Sequence, residues 1–311
     1  MDISPIALQS LNNGVSTAYN SQLWAAKSIY KSFTYDASST GDAEVYPRLN
    51  MLPGLREWVG ERVVNWLTLT TFAIVNKTYE STIGVKRENL EDDKYGFLSM
   101  VAQGMGKATG ALPDLLIAGL MKAGNTTIVA DGSNFFDTDH PNFNADGSNG
   151  TNANYQPAPE GFTGPSWFLF ATDDILQPFI YQTRRPFILK ALFDPTSNDV
   201  FWKNEFTWGT DGRANAGYGL WYCAFRSDAP MTLTNLEAAR TSMASWRRPD
   251  GEPMGINGNL LVVPTALYPN GRAYCENQLL PPGDPLITGT AGTVGNTFQG
   301  LAKAVENPWL N

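Results

Sequence analysis

Histidine is almost missing from this chain. His140 is the only one among 311 residues. A zinc site built from several imidazoles is therefore excluded. Cysteine is nearly as scarce, with only Cys223 and Cys275. Two cysteines do not make a disulfide framework, and both read as free, partly buried thiols of a reducing compartment. The Asn-X-Thr matches at Asn76, Asn125 and Asn149 are then chance. Long apolar runs are absent too. The longest, around Leu115 to Met121, falls far short of the ~20 residues that span a bilayer. Met1-Asp2-Ile3-Ser4 has neither the basic nor the apolar region of a signal peptide. Basic charge is in deficit: 22 Lys and Arg against 30 Asp and Glu give a net charge of −8. This argues against a nucleic-acid-binding face, which is normally basic.

What is abundant is loop and contact chemistry. The chain holds 29 Gly and 20 Pro, which imply many turns, and 9 Trp and 16 Phe, which supply large contact areas. With 42% hydrophobic and 17% charged residues, it reads as globular, one large domain or two small ones. The stretch Val45 to Arg62 stands out. Pro47, Pro53, Gly54 and Gly60 break regular structure, yet Tyr46, Leu52, Leu55, Trp58 and Val59 give it a heavy apolar load. Arg56, Trp58 and Arg62 are the residue types that favour interface cores. A loop folded onto its own domain fits the residues equally well. Beyond it, Asn65 to Val75 and Thr78 to Val85 read as the arms of a projecting β-hairpin, turned at Asn76-Lys77. Two strands alone are marginal and need something to pack on.

Elsewhere the periodicities are mixed. Residues 1 to 35 have helical spacing (Ile6, Leu8, Leu11, Val15, Tyr19, Leu23) interrupted by Asn12-Asn13-Gly14, which predicts two short helices or an extended arm. Residues 36 to 44 read as a polar loop. The acidic cluster Glu88, Glu91, Asp92 and Asp93 suits the start of a helix over Tyr95 to Gly124, kinked or split at Pro113. Residues 125 to 165 read as loop. Strands are expected at Trp167 to Ala171, Ile188 to Phe193, Val200 to Trp208 and Tyr218 to Phe225, with Gly209 to Gly217 turning between the last two. A helix over Leu233 to Trp246 takes Thr234 as N-cap, with Glu237 in the capping-box position. Asn259 to Pro264 reads as a strand buried on both faces, Thr265 to Leu279 as mostly helix broken at Pro269-Asn270-Gly271, and Pro281 to Gly295 as loop. Residues 298 to 310 supply a closing strand.

No stretch assembles a catalytic set. Asp137-Thr138-Asp139-His140-Pro141 admits a metal site or an Asp–His dyad, but one histidine without further ligands reads better as a brace for a turn. Asn142 to Ala153 resembles a calcium loop only in part, because Ala153 stands where a bidentate Glu is needed. Gly104 to Gly110 fails both the phosphate-loop and dinucleotide patterns. The pairs Arg184-Arg185 and Arg247-Arg248 suit contacts with an acidic neighbouring surface. Catalytic, cofactor-binding and metal residues are accordingly expected to be none.

Six segments in order resemble the Mu-like phage major head protein family: Leu52-Pro-Gly-Leu-Arg-Glu-Trp-Val-Gly-Glu-Arg62, Glu91-Asp-Asp-Lys-Tyr-Gly96, Phe135-Phe-Asp-Thr-Asp-His-Pro141, Tyr218-Gly-Leu-Trp-Tyr222, Ala238-Ala-Arg240 and Leu260-Leu-Val-Val-Pro264. The resemblance implies an α+β subunit of the Hong Kong 97 type. Its parts would be an N-terminal arm (1–45), an extended hairpin loop (46–87), a peripheral domain (88–220) with a spine helix over about 95–124, and a mainly axial domain (221–311). It implies a major capsid protein that self-assembles into an icosahedral shell around double-stranded DNA, held without sequence-specific contact by a protein of like charge. The implied partners are copies of itself in hexamers and pentamers, a separate scaffold protein, a portal and a decoration protein, with no membrane. The implied location is the virion, after assembly in the bacterial host cytoplasm. Arg56, Trp58 and Arg62 would make inter-subunit contacts. Two other readings stand beside this one: a shell-forming nanocompartment protein, and an α+β hydrolase or ligand-binding protein using Asp137, Asp139 and His140.

Overall fold

The computed structural model describes residues 5–49, 69–92, 96–129, 131–173, 177–194, 198–279 and 295–311. Arg56, Trp58 and Arg62, with the Pro-Gly segment around them, lie outside the described residues, as does nearly all of the loop expected at Pro281 to Gly295. In chain order the elements are α1 (Pro5–Ala25), β1 (Thr34–Ser38), β2 (Ala43–Leu49), β3 (Leu69–Val75), β4 (Lys77–Lys86), α2 (Arg87–Glu91) and α3 (Phe97–Ala123). There follow β5 (His140–Phe143), β6 (Asn149–Asn152), β7 (Tyr155–Gln156), β8 (Trp167–Phe170), β9 (Phe179–Leu192), α4 (Asn198–Lys203) and β10 (Glu205–Tyr218). The chain closes with β11 (Ala224–Ser227), α5 (Leu233–Ala244), β12 (Leu260–Val263), α6 (Tyr268–Cys275) and β13 (Lys303–Glu306).

Two sheets carry the molecule. One has the order β1-β9-β10-β4, the other β13-β12-β8-β11-β7; β2–β3 and β5–β6 are separate two-stranded ribbons. The first sheet packs α1 and α3 around a smaller core of Leu8, Val15, Tyr19, Leu98, Met105, Phe206 and Trp208. The second sheet centres a larger, aromatic core that includes Phe135, Trp167, Phe170, Phe179, Trp221 and Trp246. The long strands β9 and β10 run between them. Phe179 and Ala216 belong to the large core, while Phe206 and Trp208 belong to the small one.

The interruption expected at Asn12 to Gly14 does not occur: α1 is one helix of 21 residues. Gly14 meets nothing within 4 Å, so the costly residue sits on the open face. The other face is held by packing, and Asn12 Oδ1 accepts the Trp208 indole N–H at 3.2 Å. Packing outweighs the ~1 kcal/mol propensity cost of the glycine. α3 supplies the close approach. A Cβ on Gly106 would lie 2.2 Å from the Tyr19 carbonyl oxygen, and one on Gly110 would lie 2.5 Å from the Ala26 Cβ. The glycines that weaken α3 as an isolated helix therefore let α1 lie against it. α3 also continues through Pro113 without splitting. Its neighbour Asp114 accepts the Ile29 and Tyr30 N–H groups at 3.0 and 2.8 Å, tying the connection after α1 to mid-helix.

The hairpin differs from the expectation in its pairing. β3 pairs with β2, from Ala43↔Val75 to Leu49↔Leu69, and β4 pairs with β10. Asn76 is no turn residue. Asn76 is buried and its side chain is engaged, and among the described residues the one non-glycine with positive φ is Asn204. Asn76 Nδ2 donates to Ser39 Oγ at 2.7 Å and to the Gly41 carbonyl at 3.0 Å, and Asn76 Oδ1 accepts from Gln182 Nε2 at 2.8 Å. It is the corner at which the chain leaves the ribbon for the sheet.

β10 departs most. Gly209 to Gly217, expected as a turn, is the middle of a 14-residue strand, and Val200 to Lys203, expected as strand, is in α4. Inward positions alternate through Phe206, Trp208, Thr210, Gly212, Ala214 and Ala216. The Phe187 ring covers Gly212, lying 2.7 Å from where its Cβ would be, and Ile74 covers Gly217. A neighbour's side chain does the packing that the glycine cannot.

Smaller differences follow the same logic. Residues 36 to 44 include the end of β1 and start of β2, and β5–β6 forms a ribbon within the expected 125–165 loop. The acidic residues up to Glu91 belong to α2, so α3 starts without an acidic first turn. The N-cap of α5 is Thr232, whose hydroxyl accepts the Asn235 N–H at 3.2 Å, rather than Thr234. The Tyr218 to Phe225 strand is shifted to β11. Pro269 to Gly271 lies inside α6 instead of breaking it. β8, β12 and the closing β13 appear at the expected places, all four residues of β12 are buried, and β13 runs parallel to it. Cys223 and Cys275 are buried and form no disulfide.

Candidate assembly surfaces

The Asp137–His140 loop is a brace. The imidazole of His140 is fully buried and stacks flat on the Trp221 indole, 4.2 Å between centroids. His140 Nδ1 lies 3.0 Å from Asp131 Oδ2, and Nε2 lies 3.3 Å from the Phe135 carbonyl. Asp137 turns to the backbone instead, accepting the N–H groups of Asn134 and Thr138 at 2.9 and 2.8 Å. Burial alone would raise this carboxyl; those backbone bonds and the nearby His140 bring it below the ordinary range. The buried Asn154 completes the knot, donating to the Phe135 and Trp221 carbonyls at 2.8 and 3.0 Å and accepting the Asp137 N–H at 2.8 Å. These polar groups hold the fold and offer no open, convergent set to a substrate.

The partial calcium loop is the turn of β5–β6. Asp146 Oδ1 accepts the Ser148 N–H at 3.0 Å, and Gly147 takes a left-handed φ of +79°. Among the described residues no group of three His, Cys, Asp or Glu is placed to hold a metal ion. No helix among them is long and apolar enough to cross a membrane. Burial, then the charge of Glu276, pushes the Cys275 thiol up to about 11, which keeps it protonated and unreactive near neutrality.

The surface is more informative. Phe97 and Met100, on the first turn of α3, are exposed, as are Phe201 and Trp202 on α4. The last two stack edge to face on each other, 5.2 Å apart, and Trp202 keeps 77% of its surface open. α4 and α2 are adjacent, because Arg87 N donates to the Asn204 carbonyl at 3.0 Å. Ile188 and Leu192 stand exposed on β9. At the other end of α1, Trp24 is 82% exposed on the rim of a groove of about 590 Å³ lined by Leu23, Tyr30, Pro113, Phe187 and Leu189. The ribbon β2–β3 leans on its own domain near its base. There Gln182 Nε2 donates to the Ile74 carbonyl, Asn215 Nδ2 donates to the Val75 carbonyl, and the Tyr46 hydroxyl donates to Gln182 Oε1. Large apolar groups open to water in this number mark surfaces that associate.

One buried charge joins the halves. Arg226, on β11, pairs with Asp228 through Nε–Oδ1 at 2.8 Å and Nη2–Oδ2 at 3.1 Å. Its Nη1 donates to the Lys122 carbonyl at 2.9 Å and to Asn125 Oδ1 at 3.1 Å. The Tyr155 hydroxyl holds Asp228 Oδ2 from behind at 2.7 Å. Burial alone would raise the Asp228 carboxyl; hydrogen bonds from Arg226, Ser166 and Tyr155 leave it below the ordinary range. The guanidinium thus meets the negative end of α3, where the last carbonyls have no partner within the helix.

Of the residues expected to matter, the basic pairs are partly used at home. Arg185 pairs with Asp211, and Arg247 Nη1 donates to the Gly251 carbonyl at 2.7 Å. Arg226, Asn154 and the aromatic pair Phe201–Trp202 were not singled out by sequence. The adjacent aromatics ahead of Lys203-Asn204 were the available signal, but the strand reading absorbed them. Arg226 carries little sequence signal: Asp228 is two residues away, but the other groups around it come from residues 121, 122, 125, 155 and 166.

The sequence matches the profile of the Mu-like prophage major head subunit gpT over residues 8–310. It is 30% identical over 312 residues to the major capsid protein of Escherichia phage Mu, with all of both chains covered. It is 32% identical to the Mu-like prophage FluMu major head subunit of Haemophilus influenzae, over 89% of this chain and 91% of that one. Among solved structures, the procapsid of bacteriophage JBD30 has a subunit 33% identical to it, with a TM-score of 0.79 over 99% of this chain and 100% of that chain.

Proposed function

The chain belongs to the Mu-like prophage major head subunit family, and from that premise we propose how its parts serve the shell. It is a major head protein, a structural protein of mixed helices and sheets that builds the icosahedral capsid of a Mu-like phage. Our reading is that the subunit is of the Hong Kong 97 type. α3 is the spine helix of a peripheral domain of about 88–220, and residues 221–311 form mainly the axial domain. The N-terminal arm comprises 1–45 and the extended hairpin loop 46–87. The single observation that carries this is a two-stranded ribbon whose base is braced by its own domain, on a surface where Phe97, Met100, Phe201 and Trp202 are exposed. Such a ribbon is marginal alone and gains stability from a neighbour. Many modest contacts then hold the shell through closure.

Arg56, Trp58 and Arg62 are proposed to reach a neighbouring subunit. The proposed partners are further copies in hexamers and pentamers, a separate scaffold protein, a portal and a decoration protein, assembled in the host cytoplasm. The net charge of −8 suits a container that holds DNA without gripping it. The nanocompartment reading gains no observation, and the hydrolase reading loses its site to the brace around His140. The test is negative-stain electron microscopy with sedimentation of Trp58→Ala beside the parent, both produced with the other head proteins of the same phage. Folded subunits with impaired shells support the reading. Normal shells from the variant remove Trp58 from the contact, and a parent that never forms shells, tubes or rings overturns the whole.

A further inference from the structure

We propose that Arg226 is a positioning residue for assembly: it fixes the angle between α3 and the five-stranded sheet, and so the curvature at which copies of the subunit close. The inference rests on the shell-forming reading. Three kinds of group meet at this guanidinium. On one side are the Met121 and Lys122 carbonyls and Asn125 Oδ1, at the C-terminal end of α3. On another is the Asp228 carboxylate, bound through both of its oxygens. The third is the Ser166 hydroxyl, 3.4 Å from Nη2, just before β8. The rings of Tyr155 and Phe168 lie against it, 5.7 and 5.9 Å from the guanidinium carbon.

A planar fork held through its own edges has one orientation. Asp228, the residue after β11, holds the fork against its own strand, Tyr155 on β7 holds Asp228, and what remains of the fork donates to the end of the helix. The direction of α3 is thereby referred to the second sheet through a rigid group. A lysine would bring the charge but not the fork. Buried ion pairs are poor sources of net stability, and their best-attested use is to specify one geometry among several. In a shell that geometry is multiplied. A subunit whose halves meet at a different angle presents its edges to its neighbours differently, and heterologous contacts that miss closure give open or wrongly sized assemblies.

The experiment compares particles from cells producing the subunit together with the other head proteins of its own phage. The variants are Arg226→Lys, Tyr155→Phe and, as a control, Phe206→Leu. The control weakens the small core without touching the joint. Thermal unfolding ranks their stabilities, and electron microscopy gives their diameters. The expected result for Arg226→Lys is a roughly tenfold fall in the fraction of particles with the parental diameter, the ratio that about 1.4 kcal/mol of lost preference produces. The missing fraction appears as tubes, open sheets or shells of other sizes. Tyr155→Phe gives a smaller broadening, and Phe206→Leu keeps the parental diameter despite its lower Tm. If Arg226→Lys does not fold, Tyr155→Phe decides. Parental diameters from the folded joint variants overturn the inference and leave the shell reading standing. Equal broadening from Phe206→Leu also overturns it, because general loosening would then be the cause. A parent chain that forms no particles overturns the shell reading, and this inference falls with it.

Discussion

The two halves of this subunit spend their apolar residues in opposite ways. The half built on β13-β12-β8-β11-β7 keeps them inside: Trp167, Phe168, Phe170, Trp221 and Trp246 are buried in one aromatic core. The half built on β1-β9-β10-β4, with α1 to α4 and the ribbon, buries a smaller set and turns the rest outward. All the large exposed apolar side chains among the described residues belong to it or to the helix the halves share, except Ile128, Leu279 and Trp309. The first arrangement makes a body that is complete alone. The second makes one that is finished by neighbours. A shell subunit needs both: a part that does not change on assembly, and a part whose remaining burial is supplied by other copies.

Substitutions in the two halves should therefore part company, and the sharpest contrast comes from the aromatic core. Trp246→Ala removes a fully buried indole and should cost ~3–5 kcal/mol, read as a lower denaturation midpoint of the isolated subunit. An unchanged midpoint would show that the large core is not the self-sufficient half. Next in size, Thr232→Ala deletes the hydroxyl that caps α5 and should cost about 1 kcal/mol by the same measurement.

Two carboxylates then sharpen the comparison through pH. Burial outweighs two backbone hydrogen bonds at Asp114 and raises its carboxyl, whereas Asp228 is lowered overall. For Asp114, the stabilising contribution is present below the unfolded value and is lost as pH rises through the raised folded value. The parent should lose ground to Asp114→Asn over that rise. For Asp228 the sign reverses: its contribution is present above the unfolded value and is lost as pH falls through the depressed one. The gap between the parent and Asp228→Asn should close in acid. Unfolding both pairs across pH 2 to about 7, the span set by the ordinary carboxylate range, checks the two signs at once. The same slope for both would break the contrast between the joints.

The smallest stability effect belongs to the outward half. Phe201→Ser with Trp202→Ser changes exposed residues and should alter the stability of the subunit by no more than about 0.5 kcal/mol. Its effect should be on shell yield, counted as particles per subunit by sedimentation. Unchanged yield would mean that this aromatic pair is not among the surfaces that neighbours cover.

How far the sequence discloses this arrangement depends on the range of the forces involved. β12 and β8 were legible because a run such as Leu260-Leu-Val-Val263 has one sensible place, a sheet interior. α3 was legible from its apolar stripe. β10 was not, because Gly209, Gly212 and Gly217 signal a turn locally, and the Thr82, Phe187 and Ile74 side chains that pack over them come from elsewhere in the chain. The same holds for Asn76: Asn-Lys looks like a turn until Ser39, Gly41 and Gln182 are brought to it. α1 looks broken in the sequence because Gly14 is a local signal, whereas the helix it docks on lies about 80 residues further on. The family resemblance rested on motifs in order, and the family match over residues 8–310 bears out the family. The proposed contacts at Arg56, Trp58 and Arg62 lie outside the described residues.

The docking of α1 also has a consequence in time. Its Tyr19 hydroxyl shares a hydrogen bond with Thr210, 191 residues further along. During synthesis the helix emerges first, α3 follows, and β10, which completes the berth, comes much later. At ~5–20 residues per second, about 10–40 s pass before β10 follows it out of the ribosome. For that interval Leu8, Val15, Tyr19 and Leu23 form a greasy stripe with no finished berth, on a chain made in many copies that will later meet one another on purpose. The segment that is born earliest thus waits for one made two thirds of the way along the chain, and the order of synthesis sets how long its apolar stripe stays incompletely covered.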